Sequence, residues 1–234
     1  MAGSPHPNAA AQGGTPSASA WEAAYLRFES PEAEIRKFVG RLRKVGAERW
    51  RPDAQIVELF SGRGNGLRAL ERLGFRNIEG MDLSPRLVSE YSGPARCHVG
   101  DCRALPFPGQ TKDVAIVQGG LHHLLKLPDD LDRVLSEMRR VLRPSGLAVL
   151  IEPWLTPFLR FVHKMCEIPF ARACSNKVDA LATMIQHERE TYDQWLAQPE
   201  LISQLARRYF DPQHESRSLG KWTFVGGPRE SIRP

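Results

Sequence analysis

Three glycines, Gly62, Gly64 and Gly66, alternate with Arg63 and Asn65 in the stretch Glu58-Leu59-Phe60-Ser61-Gly62-Arg63-Gly64-Asn65-Gly66, directly after Gln55-Ile56-Val57. Backbone this poor in side chains, at the end of an apolar run, lies against a ligand. The dinucleotide fingerprint requires a glycine where this chain has Leu67, and a phosphate loop requires Gly-Lys-Ser or Gly-Lys-Thr, which does not follow. The loop therefore marks a nucleoside-type ligand without selecting which one. Asp82 closes the next apolar run. A carboxylate there either accepts both ribose hydroxyls of an adenosine or serves the helix that Ser84-Pro85 opens. Asp101 stands in Gly100-Asp101-Cys102-Arg103-Ala104-Leu105-Pro106-Phe107. It either accepts an adenine amino proton, with apolar groups flanking the ring, or closes an Asx-turn. His122 and His123 follow Gln118-Gly119-Gly120-Leu121. Imidazole titrates near neutrality, so each is a candidate general base and equally a candidate helix cap or loop hydrogen-bonding group.

These residues need elements to hold them. Ser30-Pro31 predicts a helix start, and Ile35, Phe38, Val39, Leu42 and Val45 continue it to Gly46. Strands are predicted at Gln55–Leu59, Ile78–Asp82, Arg96–Gly100, Val114–Gln118 and Leu147–Ile151, with helices over Gly66–Leu73, from Ser84-Pro85, and over Asp129–Arg143. Pro144-Ser145-Gly146 predicts a turn. Such strand–helix alternation implies a parallel sheet covered on both faces, with its ligand beyond the carboxyl ends of the strands. That rule selects Glu58 to Gly66, Asp82, Asp101, Gln118 to His123, and Glu152. From Pro157 to about Tyr209 the pattern is helical, broken by Pro169 and Pro199, and these helices are expected over the ligand edge. Glu215–Leu219 and Trp222–Val225 predict an antiparallel strand pair turning at Gly220-Lys221. The expected fold is α/β, doubly wound, seven-stranded and mostly parallel, with a C-terminal antiparallel pair and a helical insertion. Its expected division is a disordered tail over 1–20 and one domain over 21–234, in which 54–152 is a cofactor-binding core and 153–210 a helical substrate cap.

Composition narrows the class. With 41% hydrophobic and 25% charged residues, the 234-residue chain is ordinary for a soluble globular protein. The formal charge of +5 is mild and not gathered in one tract, which makes a nucleic-acid partner unlikely on charge alone. Cys97, Cys102, Cys166 and Cys174 form no C-x-x-C pair and read as reduced, buried or half-buried thiols. No apolar run approaches the roughly 20 residues that span a bilayer, and no secretory signal opens the chain, so a cytoplasmic protein is expected.

Taken together, the glycine loop, Gly80-Met81-Asp82-Leu83-Ser84, Gly100 to Phe107, Asp113-Val114 through Leu124, and Val141 to Gly146 resemble the class I S-adenosylmethionine-dependent methyltransferases of the type 11-like, small-molecule kind. The resemblance covers about 54–152 and implies a Rossmann-like sheet and S-adenosylmethionine as cofactor. It implies backbone contact from Gly62 and Gly64 to the cofactor's amino-acid part, with Phe60 and Ser61 beside them. Glu58 would orient the loop or accept from the cofactor's ammonium. Asp82 would take the ribose with Leu83 alongside, Asp101 and the Cys102 backbone the adenine edge, and Gln118 and Gly119 would lie under the methionine portion. Phe60 departs from the family, which has glycine there. Some related nucleic-acid methyltransferases carry an aromatic at this point, and Phe60 would pack on the cofactor or plug the core.

Of the two catalytic candidates, His123 matches the family's recurring histidine and His122 stands second. No metal is expected, because neighbouring histidines rarely point at one ion and no acid stands at ligand spacing. The implied activity is methyl transfer, by in-line displacement, to an oxygen, nitrogen or carbon of a small-molecule acceptor. One alternative is a nucleic-acid methyltransferase, which gains from Phe60 and loses because Gln118 to His123 stands where amino-methylating base modifiers have Asn/Asp-Pro-Pro-aromatic. The other is a cofactor-binding protein without catalysis. Tyr25, Arg27, His163, His187, Glu188, Tyr192 and Trp195, with Trp154, Phe158 and Phe161, are pocket or packing candidates.

Overall fold

Ser30 and Pro31 act as their types require. In the computed structural model, which describes residues 23–230, the Ser30 hydroxyl accepts from the Ala33 amide at 3.3 Å and Pro31 occupies the first turn of α1 (Pro31–Lys44). Ile35, Phe38 and Leu42 form its buried stripe. Residues 23–28 ahead of it are helical, and the expected tail over 1–20 lies outside the described residues.

The alternation then runs β1 (Ile56–Leu59), α2 (Asn65–Arg72), β2 (Ile78–Asp82), α3 (Pro85–Ser89), β3 (Arg96–Val99), β4 (Lys112–Gln118), α4 (Asp129–Val141) and β5 (Leu142–Pro153). After α5 (Pro157–Glu167), α6 (Pro169–Cys174), α7 (Asn176–His187), α8 (Arg189–Leu196) and α9 (Pro199–Tyr209) come β6 (Phe210–Ser218) and β7 (Lys221–Pro228). The seven strands lie in the order β3-β2-β1-β4-β5-β7-β6. β1 to β5 are parallel, and β7 runs antiparallel to both β5 and β6. The direction of winding reverses between β1 and β4, and a ligand crevice opens above such a switch point. One core face gathers Val57, Leu59, Val117, Met138, Trp195 and Trp222; the other gathers Ile56, Ile116, Leu67, Leu70, Phe38 and Leu42. Strand alternation therefore sends Glu58, in register with Ile56, toward α2.

Several expected boundaries move, and β6 begins at Phe210, five residues before the expected Glu215. Pro144-Ser145-Gly146 does not precede the fifth strand but bulges within it, since Lys112 pairs with Leu142 and Val114 with Leu147. Asp113 holds the bulge: its carboxylate accepts from Arg143 at 2.5 Å and from the Gln55 amide at 2.7 Å. The final hairpin turns at Leu219-Gly220, one residue earlier than expected. Both have left-handed φ, 47° and 75°, the twist that a two-residue hairpin loop requires, and Lys221 already belongs to β7. Pro169 and Pro199, expected as breaks, start α6 and α9. α9 buries Ile202, Leu205 and Tyr209 in the sheet's own core, with Tyr209 donating to Asp132 at 2.8 Å, so it belongs to the layer beside α4 rather than over the ligand edge. Cys102 and Cys166 are buried and Cys97 half-buried, but Cys174 is exposed, contrary to expectation, because it ends the short surface helix α6.

Candidate active site

A cavity of about 1540 Å³ opens above the switch point, large enough for a nucleoside cofactor together with a second small molecule. Glu58, Phe60, Ser61, Gly62, Asp82, Leu83, Asp101, Cys102, Gln118, Gly119, His122 and His123 all line it. Gly64 does not; it turns the loop into α2 with φ 77°.

Asp82 ties the crevice together. One carboxylate oxygen accepts from the Gly62 amide at 2.8 Å and the other from the Ser84 amide at 2.9 Å, so this acid ties the glycine loop to the helix start that Ser84-Pro85 opens. Beneath the loop, Glu58 is buried with one oxygen accepting from Gln118 Nε2 at 3.2 Å. A side chain at Gly66 would collide with it, since a Cβ there would lie 1.8 Å from Glu58 Oε1; this glycine is required by packing. The Glu58 Oε2, Ser61 Oγ and Gln118 Oε1 atoms are buried without hydrogen-bond partners among the described residues. Buried polar atoms rarely stay unpaired, so this cluster fits a ligand carrying its own donors and acceptors, as the amino-acid part of S-adenosylmethionine does.

Burial pushes the Glu58 carboxyl up to about 8. Its native value thus lies above the ordinary 4.5, folding takes up a proton, and ligand-free stability should fall as pH rises from about 4.5 to about 8 and then level off. Glu58→Gln should flatten that decline, a gain on the order of a few kcal/mol at pH 8 in denaturant unfolding of the ligand-free protein. An equal slope in both proteins would refute the assignment.

Phe60 holds a left-handed φ of 56°, where the family's glycine would sit without strain. Its ring fills the space over Gly120, at which a Cβ would meet Phe60 Cγ at 2.3 Å. The glycine loop is thereby keyed to the turn carrying the histidines. Gly120→Ala should cost about 1–3 kcal/mol by overpacking. Adding Phe60→Gly should restore thermal stability in part, as a double-mutant cycle would record; additive losses would refute the fit.

Asp101 is less free than the sequence suggests. It accepts from the Arg103 amide at 2.9 Å and from the Arg103 guanidinium at 2.6 Å, and these hydrogen bonds hold its carboxyl below the usual range. Arg103, which sequence reasoning passed over, also reaches Asp130 at 2.8 Å and staples this loop to α4. Leu83 exposes 70% of its surface beside Asp82, an apolar face for a flat ring. Burial pushes the Cys102 thiol up to about 12, so it is an inert wall group.

At the far end stands the short helical turn Leu121–His123. His122 Nδ1 lies 2.8 Å from Glu152 Oε2, and the other oxygen of Glu152 accepts from the Gly120 and Leu121 amides at 2.8 and 2.9 Å. Glu152 is completely buried at the end of β5. Burial opposes its charge, but the bonds from His122, Leu121 and Gly120 outweigh burial and hold its carboxyl below the usual range. The His123 ring lies 4.1 Å from that of His122 and keeps 40% of its side-chain surface, lining the cavity; burial and the His122 charge push it below the usual imidazole range. No acid stands at ligand spacing along the sequence, but the fold brings one to this pair from a distant segment. α8 follows Glu188, whose Oε1 lies 3.6 Å from His123 Nδ1, and ligand-capable atoms of His122, His123 and Glu188 fall within 4.8 Å of one another.

Among the other candidates, Tyr25, Phe158 and Tyr192 join the wall. Trp195 is core, donating to the Pro153 carbonyl at 2.9 Å, and Trp154 stacks on Trp222. His163 contacts Tyr192 Oη at 3.2 Å behind the wall, and Phe161 is exposed.

A glycine loop after β1, an acid closing β2 and a deep crevice at the reversal of a seven-stranded sheet define an α/β protein with a site for a nucleoside-type ligand across its switch point. Residues 57–150 match the family model of the methyltransferase domain. The chain is 31% identical to a demethylmenaquinone methyltransferase of Streptomyces avermitilis over 166 residues, 67% of this chain and 68% of that protein. It is 28% identical to the ubiquinone/menaquinone biosynthesis C-methyltransferase UbiE of Geobacter sulfurreducens over 143 residues, 56% of this chain and 54% of that one. Its match thus spans between half and about two thirds of these relatives' length. In fold it is similar to the PH0226 protein of Pyrococcus horikoshii, with TM-score 0.67, 19% identity and coverage of 89% and 98% of the two chains. It also resembles the 1,6-didemethyltoxoflavin-N1-methyltransferase of Burkholderia thailandensis, solved with 1,6-didemethyltoxoflavin and S-adenosylhomocysteine, with TM-score 0.57, 17% identity and coverage of 91% and 85%. The chain belongs to the class I S-adenosylmethionine-dependent methyltransferases, and S-adenosylmethionine is the family's cofactor.

Proposed function

We propose that this protein transfers a methyl group from S-adenosylmethionine to an oxygen, nitrogen or carbon nucleophile of a small-molecule acceptor in the cytoplasm. The observation that carries this reading is the buried His122–Glu152 pair, opening onto the same cavity as the glycine loop. The bound cofactor supplies an electrophilic methyl on a sulfonium. Glu152, ionised and accepting from Nδ1–H, leaves Nε2 of His122 as the basic atom, oriented to take the acceptor's proton. His122 is therefore favoured over His123, because its ring is the one oriented by a completely buried carboxylate. Leu159, Val162, Leu181 and Met184, from α5 and α7, offer an apolar wall that excludes water from the reacting atoms. Holding nucleophile and methyl in line lowers the barrier by about 7–11 kcal/mol at best. Glu58 and Gln118 would hold the cofactor's amino-acid end, Asp82 and Leu83 its ribose, and Asp101 with the Cys102 backbone its adenine edge.

The relatives named for quinone biosynthesis, and the fold neighbour that methylates a toxoflavin precursor, support a small organic acceptor. The deciding experiment is incubation with cell extract and isotope-labelled methyl donor. Label should enter small molecules with stoichiometric S-adenosylhomocysteine. Label in RNA or DNA would favour the nucleic-acid reading, and cofactor binding without turnover across extracts would favour a non-catalytic binder.

A further inference from the structure

One wall of the cavity carries more positive charge than its own carboxylates answer. Lys37, Arg41 and Lys44 stand on one face of α1 at spacings of four and three, and all three line the cavity. Lys221, the first residue of β7, lines it too, and the register sets it beside Pro153, one position beyond Glu152. The acids nearby are already committed. Glu29 pairs with Lys37 at 2.8 Å. Glu34 accepts from Asn65 Nδ2 at 2.7 Å and from the Tyr25 hydroxyl. Glu152 is taken by His122 and two backbone amides. Among the described residues neither Arg41 nor Lys221 forms an ion pair; Arg41 makes a cation–π contact with Phe38 at 5.2 Å.

We infer that Arg41 and Lys221 form an anion subsite that holds a carboxylate or phosphate group of the methyl acceptor. The inference rests on the methyl-transfer reading and narrows its substrate class. Two half-buried cations in one cavity repel each other, and a bound anion removes that cost. Burial lowers the basicity of both, and for Lys221 the charge of Arg41 is the next cause. The Ser216 and Thr223 hydroxyls, on the same wall, add donors for the remaining anion oxygens. A guanidinium and an ammonium lining one cavity together offer the donors and charge that such groups need.

A second source of the same chemistry is the cofactor's own carboxylate, and topology argues against it. The glycine loop leaves β1, whereas Lys221 is on β7, three strands and about 14 Å further along the sheet. His122, after β4, lies between the two. An acceptor anchored at Lys221 would thus lay its body along the apolar wall and bring its nucleophile to His122.

The test is calorimetric titration of the full chain with inorganic phosphate, with succinate and with S-adenosylhomocysteine. Wild type should bind phosphate or succinate, Arg41→Met and Lys221→Met should each weaken that binding at least tenfold, and S-adenosylhomocysteine affinity should change less than twofold. Arg41→Lys and Lys221→Arg, which keep the charge, should retain most of the anion affinity and exclude misfolding as the cause. Anion binding that survives in the Arg41→Met/Lys221→Met double variant, or no binding by wild type, overturns the inference. A tenfold loss of S-adenosylhomocysteine affinity in the Met variants would also overturn it, reassigning the cations to the cofactor carboxylate. A wild type that binds phosphate but not S-adenosylhomocysteine would instead defeat the methyl-transfer reading.

Discussion

Glu152→Gln should lower turnover by about 10²–10⁴-fold, the range over which a positioned general base acts, while leaving S-adenosylhomocysteine affinity within twofold. The substitution keeps shape and volume but removes the charge that accepts from Nδ1 of His122 at 2.8 Å. The carboxylate meets three donors: one oxygen takes the His122 ring, and the other takes the Gly120 and Leu121 amides. A glutamine cannot accept from all three. If its NH₂ faces His122, the ring must present an unprotonated Nδ1, and the proton moves to Nε2, the atom needed to receive one from the acceptor. If the NH₂ faces the amides, a donor opposes donors in a completely buried site. Glu152→Ala is less informative, since it also opens a cavity and strands two backbone amides. Steady-state kinetics with calorimetry checks the split, and His122→Asn should match the loss without adding to it in the double variant. Full activity in Glu152→Gln would return His122 to a structural role. Turnover abolished by chelation and restored by a divalent ion would replace proton transfer with metal-assisted binding of the acceptor at His122, His123 and Glu188.

The second large effect is expected at Asp82. Asp82→Ala should weaken S-adenosylhomocysteine binding by more than about 100-fold. Each hydrogen bond to a charged acceptor contributes about 1.5–3 kcal/mol, and two ribose hydroxyls are assigned to this carboxylate. The same change releases the Gly62 and Ser84 amides, held at 2.8 and 2.9 Å, and so loosens the glycine loop before any ligand arrives. Asp82→Asn retains one oxygen acceptor and should fall between wild type and Asp82→Ala. Calorimetric affinity unchanged in Asp82→Ala would remove the ribose assignment. Because His122 and Glu152 do not contact Asp82, turnover at saturating cofactor should fall far less than affinity, which separates this variant from Glu152→Gln.

The amino-acid order by itself determined the alternation of strands and helices, the ends of most of them, and a loop for a nucleoside-type ligand, while the cofactor's identity came from the family resemblance of five motifs in order. These properties are local: a Ser-Pro helix start, a 3.6-residue stripe, a four-residue apolar run and a glycine loop are each written within a few positions. The same locality explains what was misplaced. The bulge at Pro144 to Gly146 depends on Asp113 reaching Arg143 across the sheet, and the hairpin turn on the twist of strands it joins. Which residues complete the acceptor end was decided only by tertiary structure. Glu152 meets His122 because β4 and β5 are neighbours in register, and Glu188 meets His123 because α8 packs beside their turn. Arg41 comes to share a cavity with Lys221 because β7 inserts between β5 and β6 and brings its first residue to the cavity that one face of α1 lines. Phe60 is tolerated because Gly120, from another loop, leaves it room. Each of these pairings joins positions far apart in the chain, and no periodicity or spacing along one segment encodes the distance between two segments.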